Sequence, residues 1–332
     1  MKQKVKRSIL YVISVLPSTL NAFYSDLRRW LLYSIKDNRA NKQHQQARLL
    51  LNLHALEKGL SFKVIKKGFG KDKAMILYNL TDKYVKKYSV DEISLLALGV
   101  LNAFVKHPDA GVSETLRKGL IRICNENNLS EVGMFGGVKP VEKLINLDFN
   151  TSYDDLYKIA ASRSSVRHYS KEHITEEEII QAVRYAQTAP SVCNRQASRV
   201  HVFGKDLDLI LATQLGNQGW ADKADKLFVV TTDLNFFGSV YERNQAFIDG
   251  GMFAMQFVMG LHAQKIASCC KMYIRRPDLD KKFYKVTNIP ANEIPIMLIL
   301  AGHYDVDQVN VPYSYRYRVE NALLIHKDFD IL

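Results

Sequence analysis

The sequence has few of the residues that mark disulfide-rich, collagen-like or low-complexity proteins. Its 332 residues include 4 cysteines, 8 prolines and 17 glycines, whereas 47% are hydrophobic. Disordered and collagen-like chains contain far fewer apolar residues or far more glycine and proline, so both classes are excluded. Four cysteines, two of them adjacent (Cys269 and Cys270), match neither a disulfide framework nor the spacing of a zinc site. The simplest interpretation is a reduced, cytoplasmic protein of about two domains.

The apolar run at residues 9–16 is too short to cross about 30 Å of hydrocarbon as a helix. It follows a basic start and ends at Pro17, a pattern that also resembles a signal peptide, but no small-residue cleavage site follows. Apolar residues continue beyond Arg28 and Arg29. An amphipathic helix is the better interpretation. Docking of this helix on the body of the protein is favoured over contact with a membrane surface, and both alternatives stay open.

Acidic residues are scarce in the first half of the chain. The whole sequence has 46 Lys and Arg against 34 Asp and Glu, a net charge of +12. Residues 1–150 contain 25 basic and 13 acidic residues, whereas residues 151–332 contain 21 of each. The basic half favours an acidic partner, such as an acidic glycan or a membrane surface, with a solvated basic face as the alternative. Nucleic acid is disfavoured, because no motif that reads DNA or RNA is present.

Apolar spacing also divides the chain near residue 150. Residues 40–130 repeat apolar side chains at three- and four-residue steps, which predicts helices, with Asp91 as a candidate cap. Thr175 and the glutamates after it predict a capped helix that ends near Thr188. A second helix is expected at about 242–264, and because it is apolar nearly all round it should be buried on both sides. Four β-rich runs predict strands, and together with the helices they indicate an α+β or α/β fold: 199–203, 227–232, 266–272 and 296–302.

Two segments of the second half carry groups suited to a phosphate and a polar ring. Arg163, Ser164, Ser165 and Arg167 place two guanidinium groups and two hydroxyls within five residues. Guanidinium groups donate in pairs to anionic oxygens, and hydroxyls both donate and accept. About 25 residues further on, the loop 189–196 offers a hydroxyl and two carboxamides. Each segment alone is also typical of an ordinary surface turn.

The two segments, in this order and spacing, resemble the flavin-binding nitroreductase family, whose members have an Arg-x-Ser-x-Arg/Lys segment, a capped helix and a Pro-Ser-x-x-Asn-x-Gln loop. The resemblance covers about residues 155–330 and implies an α+β fold, with a central β-sheet flanked by helices. Further matches follow in the same order: Leu215-Gly216-Asn217-Gln218, Asp249-Gly250-Gly251, Gly302-His303-Tyr304-Asp305 and Arg316-x-Arg318.

The resemblance implies a homodimer with FMN at the interface and NADH or NADPH as the electron donor. It assigns no catalytic side chain and no metal, because the flavin itself performs hydride chemistry. The positions that it assigns to FMN fall into five groups: Arg163, Ser164, Ser165 and Arg167 for the phosphate, ribityl chain and pyrimidine edge; Pro190, Ser191, Asn194 and Gln196 for a loop presented across the dimer; Asn217 for the pyrimidine end; Ser268 and Cys269 beside flavin N5; and Arg316 and Arg318 for the phosphate.

The chain also departs from the family. Many members carry a lysine shortly after the position of Asn217, where this chain has Gly219-Trp220-Ala221. Loss of that cation is expected to lower the flavin potential, which weakens the case for general nitroaromatic reduction. The pair Cys269-Cys270 is unusual, and packing in an apolar strand is favoured over a redox role. His54 and Glu57 could lie on one helix face, but without a second such pair a helix surface is favoured over a metal site.

The predicted function is therefore FMN-dependent, two-electron NAD(P)H oxidoreduction of an unidentified small organic substrate. We expect two regions, a basic helical region at 1–150 and an FMN-binding domain at 151–332. The stretch 56–70 resembles the N-terminal extension of long nitroreductase-like proteins associated with surface-polysaccharide biosynthesis. The alternative is a flavin-binding or scaffold protein without turnover in a glycan-assembly complex, whose basic half binds an acidic partner or a membrane surface.

Overall fold

The structure of the chain is a computed structural model that describes residues 2–35, 41–62, 64–130, 135–138, 153–215, 223–305, 311–312, 314, 316 and 318–325. Within the first helix and the turn after it, side chains are described from Leu16 to Ser34. No helix in these ranges is both long and apolar enough to cross a membrane.

The N-terminal region is helical, as the apolar spacing predicts. A capping box confirms Asp91 as a helix cap: its carboxylate accepts from the backbone N–H of Ser94 at 3.1 Å, and the Ser94 hydroxyl accepts from the backbone N–H of Asp91 at 2.7 Å. The apolar run ends at Pro17, but the first helix continues through it. A π-helical turn, Leu31–Ile35, follows that helix. The helices are α1 (Lys2–Trp30), α2 (Lys42–Leu60), α3 (Lys71–Tyr88), α4 (Glu92–Lys106) and α5 (Glu114–Glu126).

Four strands form an antiparallel sheet of order β1-β2-β4-β3. The antiparallel pairing confirms an α+β fold and excludes the α/β alternative, which needs parallel strands. The four predicted strands are confirmed, each within three residues of its expected ends. Their bounds are β1 (Ser198–Phe203), β2 (Lys226–Asp233), β3 (Ile266–Met272) and β4 (Glu293–His303).

Helices flank both faces of the sheet. The predicted capped helix is confirmed: the Glu178 backbone N–H donates to the Thr175 hydroxyl at 3.3 Å, and the helix ends at Ala186, two residues before its expected end. Phe228 of β2 packs edge-on against Phe257 of the long helix on one face, and Leu227 packs with Phe283 on the other. The helices are α6 (Tyr153–Ser162), α7 (Glu176–Ala186), α8 (Leu207–Leu211), α9 (Gln245–Ala263) and α10 (Pro277–Thr287).

The expectation that the long helix is buried on both sides is wrong for the single chain. One face of α9 packs on the sheet through residues such as Ala254 and Phe257. On the other face Ile248 and Met255 are each more than half exposed, at 53% and 52%. An all-round apolar pattern predicts cover on every side, but it does not say whether the cover comes from the same chain.

The helical region and the sheet region share one hydrophobic core. Leu49, Leu53 and Leu56 of α2 belong to the same buried cluster as Leu234 and Phe237, which follow β2. Burial of apolar surface is the main favourable contribution to folding, so this shared cluster couples the stability of the two regions. The division at residue 150 stays a prediction.

A buried ion pair fixes the chain that enters β1. The Arg195 guanidinium is 3% exposed, donates to the Phe236 carbonyl at 2.6 Å and pairs with the Glu242 carboxylate. Burial alone raises the pKa of Glu242, but the hydrogen bonds from Arg195 and from the Gly238 and Ser239 backbone outweigh it. The pKa of Glu242 therefore lies below its usual value.

We expect Leu53→Ala to lower the free energy of unfolding by about 2–5 kcal/mol, because Leu53 is 2% exposed and its truncation leaves a cavity. Urea unfolding followed by circular dichroism measures this loss, and the shared core predicts a single transition at lower urea for the whole protein. Leu51→Ala on the same helix is the matched control, since Leu51 is 46% exposed and its loss should cost less than about 0.5 kcal/mol. Separate transitions for the two regions would contradict a shared core.

We expect Arg195→Met to destabilise the protein by about 1.5–3 kcal/mol at pH 7, because it removes the charged donor of Glu242. A carboxylate with a depressed folded pKa stabilises the fold above its unfolded pKa of about 4.3, and this contribution is lost as the pH falls through the folded pKa. The difference in unfolding free energy between wild type and variant should therefore shrink as the pH falls below about 4.3. Arg184→Met, an exposed position on α7, is the control. A gap that stays constant with pH would rule out Glu242 as the partner that matters.

Candidate functional site

The segment 163–167 lies against strand β3. Ser165 forms a parallel bridge with Ser268, and the Val166 backbone N–H donates to the Ser268 carbonyl at 3.0 Å. The bridge brings the side chain of Ser165 within hydrogen-bond reach of the Cys269 thiol. The structure therefore brings together two of the sequence-predicted groups, 163–167 and 268–269, which are about 100 residues apart in the chain.

Two guanidinium groups set the electrostatics of this cluster. Arg163, Ser164, Ser165 and Arg167 are all half-buried. Burial raises the pKa of the Cys269 thiol, and the positive charge of Arg167 opposes that rise. The thiol is therefore protonated at neutral pH. Half-buried guanidinium groups beside hydroxyls form a donor set suited to an anion.

A histidine that sequence reasoning did not single out completes one side of the cluster. His262, near the C-terminal end of α9, has its Nε2 2.8 Å from the Ser162 hydroxyl and its Nδ1 3.2 Å from the Tyr304 hydroxyl. Burial lowers the pKa of His262, and the charge of Arg163 lowers it further. The imidazole is therefore neutral at pH 7, and its two nitrogens are engaged by neighbouring hydroxyls. Its long-range contacts leave no local sequence signal.

The adjacent cysteines lie on opposite faces of β3, because successive side chains of a strand alternate. Cys269 is 2% exposed, Cys270 is exposed, and both are free thiols. This arrangement keeps the two sulfur atoms apart and is that of ordinary strand residues. Cys270 lies near Arg163, so its thiol belongs to the surface of the cluster.

A buried lysine lies two residues beyond Cys269, on the same face of β3. Lys271 is 9% exposed, its ammonium donates to the Leu215 carbonyl, and burial lowers its pKa. The local pattern of residues 266–272 indicates only an apolar strand and gives no sign of this buried cation. Its contact joins positions 56 residues apart, which no local pattern reveals.

The loop that leads into β1 has an unusual backbone. Cys193, Asn194 and Gln196 have φ values of 50°, 49° and 48°, in the left-handed region that side chains with a Cβ rarely adopt. The Ser191 hydroxyl accepts from the Gln196 backbone N–H at 3.0 Å, and the buried Asp249 carboxylate of α9 accepts from the Val192 backbone N–H at 3.1 Å. Strained backbone held by surrounding contacts is concentrated at binding sites.

This loop borders a groove of about 470 Å³. Pro190, Asn194 and Gln196 are exposed, and Ser191 is half-buried. On the far wall, Glu293 accepts from the His201 ring at 2.7 Å. Burial raises the pKa of Glu293, but the hydrogen bonds from His201 and Thr231 hold it below its usual value. The loop therefore presents polar groups to a concave surface.

The two halves of the predicted site are far apart in one chain. The loop 190–196 contacts Asp249 near the start of α9, whereas Ser162, the residue before the cluster at 163–167, contacts His262 near its end. Thirteen residues of helix separate these positions by about 20 Å. The loop also enters β1 while Ser165 joins β3, and these two strands lie at opposite edges of the sheet. A single chain does not bring the loop and the cluster together.

The roles of Asn217, Arg316 and Arg318 in binding FMN remain predictions. Asn217 lies outside the described residues, as do Gly219, Trp220 and Ala221. Arg316 and Arg318 are exposed, and the Arg316 guanidinium donates to the Ser314 carbonyl at 2.8 Å. The backbone carbonyl of Arg318 accepts from the Asn321 side chain.

Comparisons with solved structures found likenesses over about half of the chain. A nitroreductase family protein from Streptococcus pneumoniae TIGR4 is 18% identical, with a TM-score of 0.45 over 52% of this chain and 100% of the other. A nitroreductase family protein from Clostridium difficile 630 is 19% identical, with a TM-score of 0.42 over 53% and 98%. A nitroreductase with bound FMN from Desulfitobacterium hafniense DCB-2 is 19% identical, with a TM-score of 0.40 over 51% and 97%.

A search of curated proteins found no significant match to this chain. The model of the nitroreductase family matches residues 160–303. This range begins just before Arg163 and ends with the last residue of β4, so it contains the cluster, the loop before β1 and the whole sheet. Residues 160–303 are therefore a nitroreductase family domain.

Proposed function

We propose that the protein is an FMN-dependent NAD(P)H oxidoreductase of the nitroreductase type, which transfers two electrons to a small organic substrate. The observation that carries this proposal is the cluster in which Arg163, Ser165 and Arg167 lie against Ser268 and Cys269 of β3, inside the nitroreductase family domain. In this cluster, half-buried cationic donors and hydroxyls lie at a strand edge.

The donor set of the cluster fits a flavin mononucleotide. Arg163 and Arg167 offer forked donors to the phosphate or to the anionic pyrimidine edge, and Ser164 and Ser165 offer hydroxyls to the ribityl chain. When bound, FMN supplies the hydride chemistry that no protein side chain provides. Asn217, Arg316 and Arg318 are proposed to complete the contacts to the pyrimidine and the phosphate.

The backbone of β3 supplies a further donor. Residues two apart on a strand direct their N–H and C=O groups to the same edge. The Ser268 carbonyl faces the Val166 segment, away from β4, so the Cys270 N–H faces that same edge one step beyond the bridge. We propose this N–H as the donor to flavin N5. The buried Lys271 ammonium donates to the Leu215 carbonyl, two residues before Asn217 in the sequence.

The second half of the site is proposed to come from a second copy of the chain. The loop with Pro190, Ser191 and Asn194 lies at the opposite end of α9 from the cluster, so a site that contains both needs two chains. Apolar faces are available for this contact. Ile248 and Met255 of α9 are exposed, as are Tyr153, Leu156 and Tyr157 of α6 next to the cluster. Large exposed apolar faces on a folded domain mark interaction surfaces.

No catalytic acid or base is proposed. His262 is neutral and engaged by two hydroxyls, and the Cys269 thiol is protonated and buried. The chain's contribution is to bind and orient the flavin and to leave its other face open. One open face serves NADH or NADPH and the second substrate in turn, which requires a ping-pong order.

A second candidate function keeps the flavin but gives the basic region the main role, as a scaffold in surface-polysaccharide assembly. A specific observation favours an anionic partner there: a surface cavity of about 380 Å³ on α2 and α3 is lined by Arg48, Lys83 and Lys87. Sugar carboxylates or phosphates are suitable occupants of such a cavity. Measurement of NAD(P)H oxidation distinguishes the oxidoreductase from the scaffold.

A subunit-mixing experiment tests the shared site. We expect Arg167→Ala to weaken FMN binding at least tenfold and Asn194→Ala to weaken it by up to about tenfold, because a hydrogen bond contributes about 1.5–3 kcal/mol when charged and about 0.5–1.5 kcal/mol when neutral. Co-expression of the two variants with different tags isolates a heterodimer, in which one site combines the intact Arg167 of one chain with the intact Asn194 of the other. Fluorescence titration should then find one high-affinity FMN site per heterodimer. Two differently tagged Arg167→Ala chains are the control. A site built within one chain predicts no recovery.

Steady-state kinetics test the reaction. We expect oxidation of NADH or NADPH to be stimulated by an added quinone or nitro compound, with parallel lines in double-reciprocal plots because the two substrates bind in alternation. Arg167→Ala should lose this rate in proportion to its loss of FMN. Intersecting lines would contradict a single alternating face. A protein that binds FMN but does not oxidise either nucleotide would favour the scaffold candidate.

A further inference from the structure

Helix α1 and the first residue of the π-helical turn after it carry an exposed apolar stripe. At 100° per residue the six members fall within an arc of about 100° on the helix surface. Each is between 47% and 70% exposed. The stripe consists of Leu16, Leu20, Phe23, Tyr24, Leu27 and Leu31.

The face that α1 turns to the protein is a different one. Ala22, Ser25 and Arg29 are half-buried and lie on the opposite side of the helix from the stripe, whereas the buried Trp30 lies next to the edge of the stripe. The Arg29 guanidinium pairs with Asp280 and lies over the Tyr284 ring at 4.5 Å. Trp30, Arg29 and small residues therefore attach α1 to the body, while the six residues of the stripe stay exposed. None of the six stripe residues belongs to a buried core cluster of the described part of the chain.

The net positive charge of residues 1–25 indicates which kind of surface can cover the stripe. Residues 1–25 contain no Asp or Glu but do contain Lys2, Lys4, Lys6 and Arg7. The first acidic residue, Asp26, lies 3.5 Å from the Arg275 guanidinium and is compensated by it. Two copies of such a segment repel each other, whereas an anionic lipid surface attracts it.

A groove next to the stripe also combines apolar side chains with a cation. It encloses about 350 Å³ and is lined by Phe23, Leu27 and Leu31 from the stripe and by Val240 and Phe247 from the domain. Arg243 is exposed at its rim, and no described residue forms an ion pair with its side chain. Apolar side chains bordered by an available cation match the boundary between acyl chains and anionic headgroups.

We propose that α1 lies in the plane of an anionic membrane surface, with the stripe from Leu16 to Leu31 inserted among the acyl chains and the basic residues at the headgroups. An interfacial helix of this kind binds through buried apolar area together with attraction to anionic lipid. The inference goes beyond the proposed reaction, because neither FMN nor turnover enters it.

Sedimentation of the full-length protein with sucrose-loaded vesicles tests the proposal. Vesicles of phosphatidylcholine with one-third phosphatidylglycerol should pull down the protein, pure phosphatidylcholine much less, and binding should fall as salt is raised. Leu20→Glu and Leu27→Glu should each weaken binding by about tenfold or more, since each removes a leucine from the apolar phase and adds a negative charge. Ile121→Glu, at a 55% exposed position on α5, is the matched control and should bind as wild type does.

The same variants separate lipid from a second protein copy. Because Leu20 and Leu27 are exposed, their substitution should leave the circular dichroism spectrum, the melting temperature and the FMN content unchanged. Light scattering should give the same oligomeric state for wild type and variants. Failure of the wild type to sediment with anionic vesicles would overturn the proposal. So would a change of oligomeric state in the variants, because that outcome would place a second chain on the stripe.

Discussion

The backbone hydrogen bond from Val166 to Ser268 is the contact on which the rest of the site depends. It joins a segment that precedes the sheet in sequence to strand β3, and so places the guanidinium groups of Arg163 and Arg167 beside Cys269. A strand edge is held by repeated backbone bonds to its neighbours, so groups attached to it are positioned more rigidly than groups on a free loop. The sheet therefore fixes the position of this cluster.

The length of α9 imposes the second constraint. The helix holds the cluster near its end and the strained loop near its start, about 20 Å apart. Its outer face leaves Ile248 and Met255 exposed in the single chain. For the separation of the two halves of the site and for the uncovered apolar face we propose the same explanation, a second chain packed along α9. The proposed dimer would bring the two halves of the site together and would also bury the exposed apolar residues of α9.

Much of the fold follows from local sequence patterns. The four strands agree with the β-rich runs, and the capping boxes at Asp91 and Thr175 form where the residue types predict them. Features that depend on distant contacts did not follow. The exposed face of α9 has the same apolar composition as its buried face, so periodicity could not separate core from interface. The ammonium of Lys271 binds a carbonyl 56 residues away, and the shared core joins α2 to residues after β2. Contacts between residues so far apart in the sequence depend on tertiary packing, which local patterns do not reveal.

The visible absorption spectrum of the purified protein tests whether the cluster on β3 holds a flavin. We predict the two absorption bands of an oxidised flavin, with FMN released by heat at close to one molecule per chain. A colourless protein that also fails to take up added FMN would show that the cluster of Arg163, Ser165 and Arg167 does not bind a flavin and needs another ligand.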